Sequence, residues 1–354
     1  MKIDFDDILI APARISKIRS RKDVHPTKDA ALPLFVAPMD TVIDEKNLDL
    51  FLKRGVNVAI PRTMFKGKVE NYHERAFTSM SLSEFKSIYL GFDIDNKISQ
   101  LNNQKFQDKV LIDIANGHMS ELISAIRDAK RAYGRNLIIM AGNVANPNSY
   151  YEYAEAGVDY IRAGIGNGGG CLTTANVGVG YPMASLIKEI YQIKLNLGYG
   201  PKIVADGGFK KYSDVIKALA LGADFVMLGS IFNKCLESAG DTYEPSTLNK
   251  LGNKIDQYDT NWREYLKDGG TLYKKFRGMS TKEAQAAMGN KVLKTSEGVN
   301  RIHKVEYTLD QWLENFEDYL RSAMSYTDCV NLDEFIGGPE IIQISENSFK
   351  RFNK

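Results

Sequence analysis

The densest chemical signal in the chain lies between Gly164 and Thr174. Gly164-Ile165-Gly166-Asn167-Gly168-Gly169-Gly170 places five glycines in seven positions directly ahead of Cys171. Such a run removes side-chain bulk, permits positive φ and leaves backbone N–H and C=O groups free to face an anion or a cation. A thiolate is a strong nucleophile, so Cys171 at the end of this loop is a candidate to attack an electrophilic carbon and to leave it after reaction. Thr173, two residues on, suits the positioning of a small nucleophile or the capping of a helix. Cys235 and Cys329 have no such setting and read as small apolar packers.

Further polar and glycine residues fall at the ends of short apolar runs: Asp113 and Asn116, Asn143, Asp206-Gly207-Gly208 and Gly229-Ser230. An aspartate followed by two glycines suits a carboxylate that grips ribose hydroxyls while the backbone nears a phosphate. Gly229-Ser230 offers N–H groups of the same kind. Taken together these segments favour a phosphorylated ligand.

The elements that would position them are eight apolar runs: 34–38, 56–60, 87–91, 110–114, 137–141, 160–164, 202–206 and 224–228. Near-continuous apolar strands of this length need a parallel sheet covered on both faces. Helices are expected between them, at 44–55, 119–134, 149–157, 183–198 and 212–222, each closed by glycine. The alternation predicts an α/β fold, a (β/α)₈ barrel in one domain spanning 1–354. An open doubly wound sheet shows the same rhythm, and the count of eight strands is what favours closure. Residues 240–300 are polar and lack a strong apolar period, which predicts an insertion after strand eight, as a lid or flap or a plain surface loop. Leu309, Trp312, Leu313, Phe316 and Leu320 predict a closing helix over 308–335.

Composition narrows the function classes. With 44% apolar and 25% charged residues and a net charge of +2, the chain reads as an ordinary soluble protein, with neither nucleic acid nor membrane as an expected partner. The acidic start and the lack of a long apolar window predict a cytoplasmic location. Three cysteines without ligand spacing suggest thiols in a reducing compartment.

The ordered motifs Ala37-Pro38-Met39-Asp40-Thr41-Val42, Asp113-Ile114-Ala115-Asn116-Gly117, Ala141-Gly142-Asn143-Val144, the Gly164–Thr173 loop, Asp206-Gly207-Gly208, Met227-Leu228-Gly229-Ser230 and Arg277-Gly278-Met279-Ser280 resemble the IMP dehydrogenase and GMP reductase family over nearly the whole chain. The resemblance implies a (β/α)₈ barrel, usually a homotetramer, in which a loop cysteine attacks C2 of a purine mononucleotide; Cys171 matches it. It implies Asp206 on the ribose, Gly208, Gly229 and Ser230 on the phosphate, and Met39, Gly278, Met279 and Ser280 along the base. Asp113, Asn143 and Arg162 would face the nicotinamide cofactor. Thr173 and Glu297 match the pair that handles ammonia in the reductase. Carbonyls of Gly166, Gly168 and Cys171 are candidate ligands for a monovalent cation, K⁺.

Four features point to the reductase branch, with NADPH as cofactor. Gly178-Val179-Gly180-Tyr181-Pro182 resembles the reductase, and Ser280 stands where dehydrogenases usually carry glycine. The 16 residues between Ser280 and Glu297 hold no Arg-Tyr pair of the kind that activates water in dehydrogenases. The stretch from Arg62 to Ile88 is too short for a CBS pair. Dehydrogenation of IMP with NAD is the nearest alternative, and a non-catalytic nucleotide-binding barrel is the alternative of another class. The chain also departs from the family: Asn167 replaces a usual proline, Gly169 a serine that commonly binds phosphate, Thr174 an arginine and Pro61 a histidine. A lost hydrogen bond to phosphate predicts affinity lower by about ten- to a hundredfold, and with it an altered guanine nucleotide, deoxy or modified, as substrate.

Overall fold

The computed structural model describes all residues except 66, 68–72, 92–96, 98, 101–106, 247–250, 290–291, 293–294 and 353–354. Eight parallel strands close into a barrel: β1 (Leu34–Val36), β2 (Asn57–Ile60), β3 (Ala76–Met80), β4 (Asp108–Asp113), β5 (Leu137–Val144), β6 (Tyr160–Ala163), β7 (Lys202–Asp206) and β8 (Phe225–Leu228). The ring shuts where Leu34, Phe35 and Val36 pair with Val226, Met227 and Leu228. Closure leaves no edge strand in this sheet, the usual solution when both faces are apolar.

Seven of the eight expected strands are present, with ends shifted by a few residues. The third is corrected: 87–91 is the tail of a helix, Leu82–Tyr89, and the strand is β3, just before it. Ser81 caps that helix by accepting from Glu84 N–H, while Glu84 accepts from Ser81 N–H, a reciprocal box that fixes a helix start. Leu82, Phe85 and Tyr89 are then buried at helical spacing. The closing helix is also shorter than 308–335: it runs Leu309–Tyr326, and a separate short helix occupies Leu332–Phe335.

Alternation along the strands builds the barrel interior in layers. Phe35, Phe77, Tyr160 and Phe225 fill its floor, with ring centroids 5.2–6.2 Å apart. Leu111, Met140, Val204 and Met227 belong to the same cluster. Each buried side chain of this size stabilises by roughly 1.5–3 kcal/mol. Two residues beyond Leu111, Tyr160 and Val204, on the same strand faces, stand Asp113, Arg162 and Asp206. The other strand faces pack against the helices in one continuous core. The inner face therefore changes from apolar to polar at the carboxyl ends of the strands.

After β8 the polar stretch forms a four-stranded antiparallel sheet: β9 (Thr242–Pro245), β10 (Leu251–Ile255), β11 (Tyr273–Arg277) and β12 (Asn300–Lys304), ordered β10-β9-β11-β12. Its small core holds Leu236, Ile255, Leu272 and Val305. Polar contacts tie it to the barrel. Tyr258 OH donates to the Asp44 carboxylate at 3.1 Å, Arg277 pairs with Asp40, and Asn233 Nδ2 donates to the carbonyls of Thr41 and Lys275. Lys274 is fully buried, with Nζ donating to Leu236 O at 2.7 Å and Ser238 O at 2.6 Å.

Burial pushes the Lys274 amine down to about 7, although Cys235, Glu237 and Asp44 pull it up. A neutral amine has two N–H donors, which match those two carbonyls. Between pH 7 and the ordinary lysine value the unfolded chain holds a proton at this group that the folded chain lacks. Stability from Lys274 therefore rises with pH across that window and is flat below it. The expected result is that the melting temperature of the wild type gains on that of Lys274→Met as pH goes from 7 to 9. Parallel pH profiles for the two proteins would contradict the assignment.

Candidate active site

At the carboxyl end of the barrel lies a cleft of about 870 Å³ including its mouth, within the range of small-molecule sites. Met39, Asp113, Asn143, Arg162, Gly166, Gly168, Cys171, Asp206, Gly208, Gly229, Ser230, Gly278, Met279 and Ser280 all line it. Thr173 and Glu297 stand behind Cys171. The structure thus brings together every residue that the resemblance assigns to the site, from both barrel and insertion; Asn116, also expected at a strand end, is exposed outside the cleft and accepts from His118 N–H at 3.0 Å.

Arg162 sits at the centre of one wall, 8% exposed. Its NH1 donates to Asp113 Oδ1 at 2.5 Å and its Nε to Asp206 Oδ2 at 3.0 Å. Burial opposes the positive charge, but Asp206 and Asp113 outweigh it and leave the guanidinium pKa above its ordinary value. A register irregularity between Gly142 and Val144 interrupts the pairing of β5 with β6, as a bulge does when it re-aims a side chain. Asn143 Nδ2 there donates to Asp206 Oδ2 at 2.8 Å and to Gly164 O at 2.7 Å. Asp206 is held by a charged and a neutral donor on one oxygen, which fixes its carboxylate in the cleft.

Gly207 and Gly208 follow Asp206 with φ of 90° and 89°, values open to glycine at little cost. Gly278 is a further position at which geometry demands glycine. A Cβ there would approach Gly170 O to 2.6 Å, so insertion and cysteine loop pack backbone to backbone.

That approach belongs to a short ladder. Leu172 N donates to Glu297 O at 2.7 Å, Val299 N to Gly170 O at 3.1 Å and Gly278 N to Val299 O at 3.0 Å. Cys171 thereby pairs with Gly298 in an antiparallel bridge. One consequence is a side-chain relay: Cys171 Sγ donates to Thr173 Oγ1 at 3.2 Å, and Thr173 Oγ1 donates to Glu297 Oε2 at 2.5 Å. Cys171 is half-buried, whereas Cys235 and Cys329 are buried with thiols raised by burial, as packing residues would be.

Phe276 is a lining residue that sequence reasoning missed. Its ring lies where a Cβ on Gly170 would meet it at 2.8 Å, and its other side stacks on His303 at 4.8 Å. His303 Nδ1 is 2.8 Å from Asn233 Oδ1. Because Asn233 Nδ2 is the donor to two carbonyls, Oδ1 accepts and His303 carries its proton on Nδ1. Burial, with Lys234 and Arg301, holds this imidazole down to about 4, so it is neutral at ordinary pH. The signal for Phe276 was one aromatic residue in a run of cations, two places before Gly278.

The chain matches the IMP dehydrogenase / GMP reductase domain over residues 2–259. It is 28% identical to a GMP reductase of Shewanella halifaxensis, covering 100% of this chain and 98% of that protein. It is 27% identical to GMP reductase 2 of Bos taurus, covering 98% and 95%, and 26% identical to a GMP reductase of Onchocerca volvulus, covering 99% and 93%. The family match spans well over half of the chain and includes the barrel strands, the cysteine loop and the Asp206 and Gly229 segments, so the chain belongs to the IMP dehydrogenase/GMP reductase family of enzymes.

Proposed function

We propose that this protein is a GMP reductase-like oxidoreductase that converts GMP, or a related guanine nucleotide, to IMP and ammonia. The observation that carries the reading is the relay from Cys171 through Thr173 to Glu297. Its direction gives a proton path. The thiol proton passes to Thr173 as the Thr173 proton passes to Glu297, and the thiolate attacks C2 of the purine. The C2 amine then takes that proton back along the same path and leaves as ammonia, with C2 now bonded to sulfur. Ammonia is lost without any outside acid, because the proton gained by the amine is the one released by Cys171. A dehydrogenase would instead need a base for water to cleave this adduct.

The fit to a nicotinamide rests on the donor set of the opposite wall. Asn143, Arg162 and Asp113 provide both donors and an acceptor, which suits a carboxamide. NADPH bound there would supply the hydride that replaces sulfur at C2 and yields IMP. Asp206 would hold the ribose, Gly208, Gly229 and Ser230 the phosphate, and Met39, Gly278, Met279 and Ser280 the base. The carbonyls of Gly166, Gly168 and Cys171 would contribute to a K⁺ site; that of Gly168 also accepts Cys171 N–H at 2.9 Å and retains a second lone pair for a cation.

Loss of absorbance at 340 nm with NADPH and GMP, matched mole for mole by ammonia, is the expected activity. Growth of that signal with IMP and NAD⁺ but none of the former would move the protein to the dehydrogenase branch. Silence in both mixtures would contradict catalysis.

Two substitutions test the roles. Cys171→Ser should lower turnover by at least about a thousandfold while GMP still binds. Glu297→Gln keeps shape but not the carboxylate, and should lower kcat by roughly 10²–10⁴-fold with KM for GMP changed little. Equal losses in kcat and in GMP affinity for Glu297→Gln would contradict a role in proton transfer.

A further inference from the structure

The amino end of the barrel, on the far side of the aromatic floor from the cleft, holds a second cavity of about 1060 Å³ including its mouth. Arg75, Lys109 and Lys202 line it. Lys109 and Lys202 stand two residues before Leu111 and Val204, on the same inward strand faces. Lys202 Nζ lies 5.5 and 5.6 Å from the ring centroids of Tyr160 and Phe225, and Lys109 Nζ lies 5.7 Å from that of Phe77. Among the described residues neither ammonium pairs with a carboxylate: Lys109 donates to the Glu74 carbonyl, and Lys202 has its rings. Arg75 NH2 donates to Leu52 O at 2.7 Å, while Arg75 Nε is buried without a partner among those residues.

The acids around this cavity are largely taken up. Lys194 holds Asp224 at 2.6 Å, with Ile203 N–H donating to the same carboxylate at 2.7 Å, and Lys28 holds Asp333 at 2.8 Å. Glu74 lies 3.8 Å from Arg75 NH1. Asp29 is then the one lining carboxylate without an ion pair among the described residues, against two such ammoniums. Burial, with the charge of Lys202, holds the Lys109 amine below its ordinary value against the pull of Glu74 and Asp159. A bound anion would relieve that cost.

We propose that this cavity binds a phosphate-type oxyanion, free or as the terminal group of a small metabolite, between Lys109, Lys202 and Arg75. Each ammonium carries three donors, so after the Glu74 contact the two lysines retain more than the roughly four a carboxylate accepts. A phosphate takes up more of them, and lysine serves it as a point charge. The site is separate from the cleft and does not depend on the reaction assigned there.

The test uses the full chain at constant ionic strength, with inorganic phosphate and glycerol 3-phosphate as probes in calorimetric titration. Acetylation of individual lysines, followed by mass spectrometry of the wild type, locates the binding without any substitution. Saturable binding is expected, with acetylation of Lys109 and Lys202 slowed and that of the exposed Lys188 unchanged. Lys202→Gln should raise the Kd by about tenfold, and Lys109→Met added to it by about tenfold more. Tighter binding of glycerol 3-phosphate would identify the ligand as the terminal group of a metabolite, and tighter binding of inorganic phosphate as the free ion. Saturable binding of neither probe, an unchanged Kd in Lys202→Gln, or acetylation of Lys109 and Lys202 at the same rate with and without phosphate would overturn the proposal.

Discussion

Backbone pairing between the cysteine loop and the insertion is the constraint on which the site depends. Gly170 O and Leu172 N on one side meet Val299 N and Glu297 O on the other. A loop with five glycines in seven residues has few side chains to hold it and loses much conformational entropy on ordering. The ladder supplies fixed partners on either side of Cys171, and the relay to Glu297 follows from its register. A shift by one residue would turn Glu297 to the opposite face and break the path from sulfur to carboxylate. For that reason Thr173 and Glu297, 124 positions apart, act as neighbours.

The barrel provides the opposite wall by a different device. Its floor is sealed by aromatic rings, and polar groups enter only two residues further along each strand. A guanidinium buried there is tolerable because two carboxylates pair with it, one of them held in place by the Asn143 amide; removing a carboxylate would leave buried charge poorly compensated. The Asp113, Arg162 and Asp206 network therefore fixes groups for a ligand before any ligand arrives, with little reorganisation left to do. The insertion contributes Phe276, Gly278, Met279 and Ser280 to the cleft, and Tyr258, Arg277 and Asn233 tie its sheet to the barrel.

Much of this was legible in the sequence, for identifiable reasons. Polar residues follow the apolar runs at the mouth of a barrel, so Asp113, Asn143 and Asp206 declared themselves by position, whereas Arg162, inside an apolar run, was marked by the family resemblance alone. Gly208 stood out by type, next to Asp206 and Gly207, whereas Gly278 was marked by the family resemblance alone. The third strand was misplaced because Ala76-Phe77-Thr78-Ser79-Met80 carries two hydroxyl residues in a buried strand, while Ser87-Ile88-Tyr89-Leu90-Gly91 looks more apolar; the Ser81–Glu84 cap was the overlooked cue. The insertion gave no sheet signal because its strands face solvent on one side and hold lysines, one of them, Lys274, buried against carbonyls. Phe276 and His303 were missed for the same reason: their importance comes from stacking across strands, which no local pattern encodes.

The central claim is that a guanine nucleotide is deaminated on Cys171 with its proton carried by Thr173 and Glu297. Its most direct test is the mass of the intact protein, acid-quenched after incubation with GMP in the absence of reductant and then mapped by peptide. The account predicts a nucleotide adduct less one ammonia on Cys171, formed far more slowly in Glu297→Gln. Turnover of GMP with no adduct at Cys171, or an adduct that forms at the same rate without the Glu297 carboxylate, would contradict it.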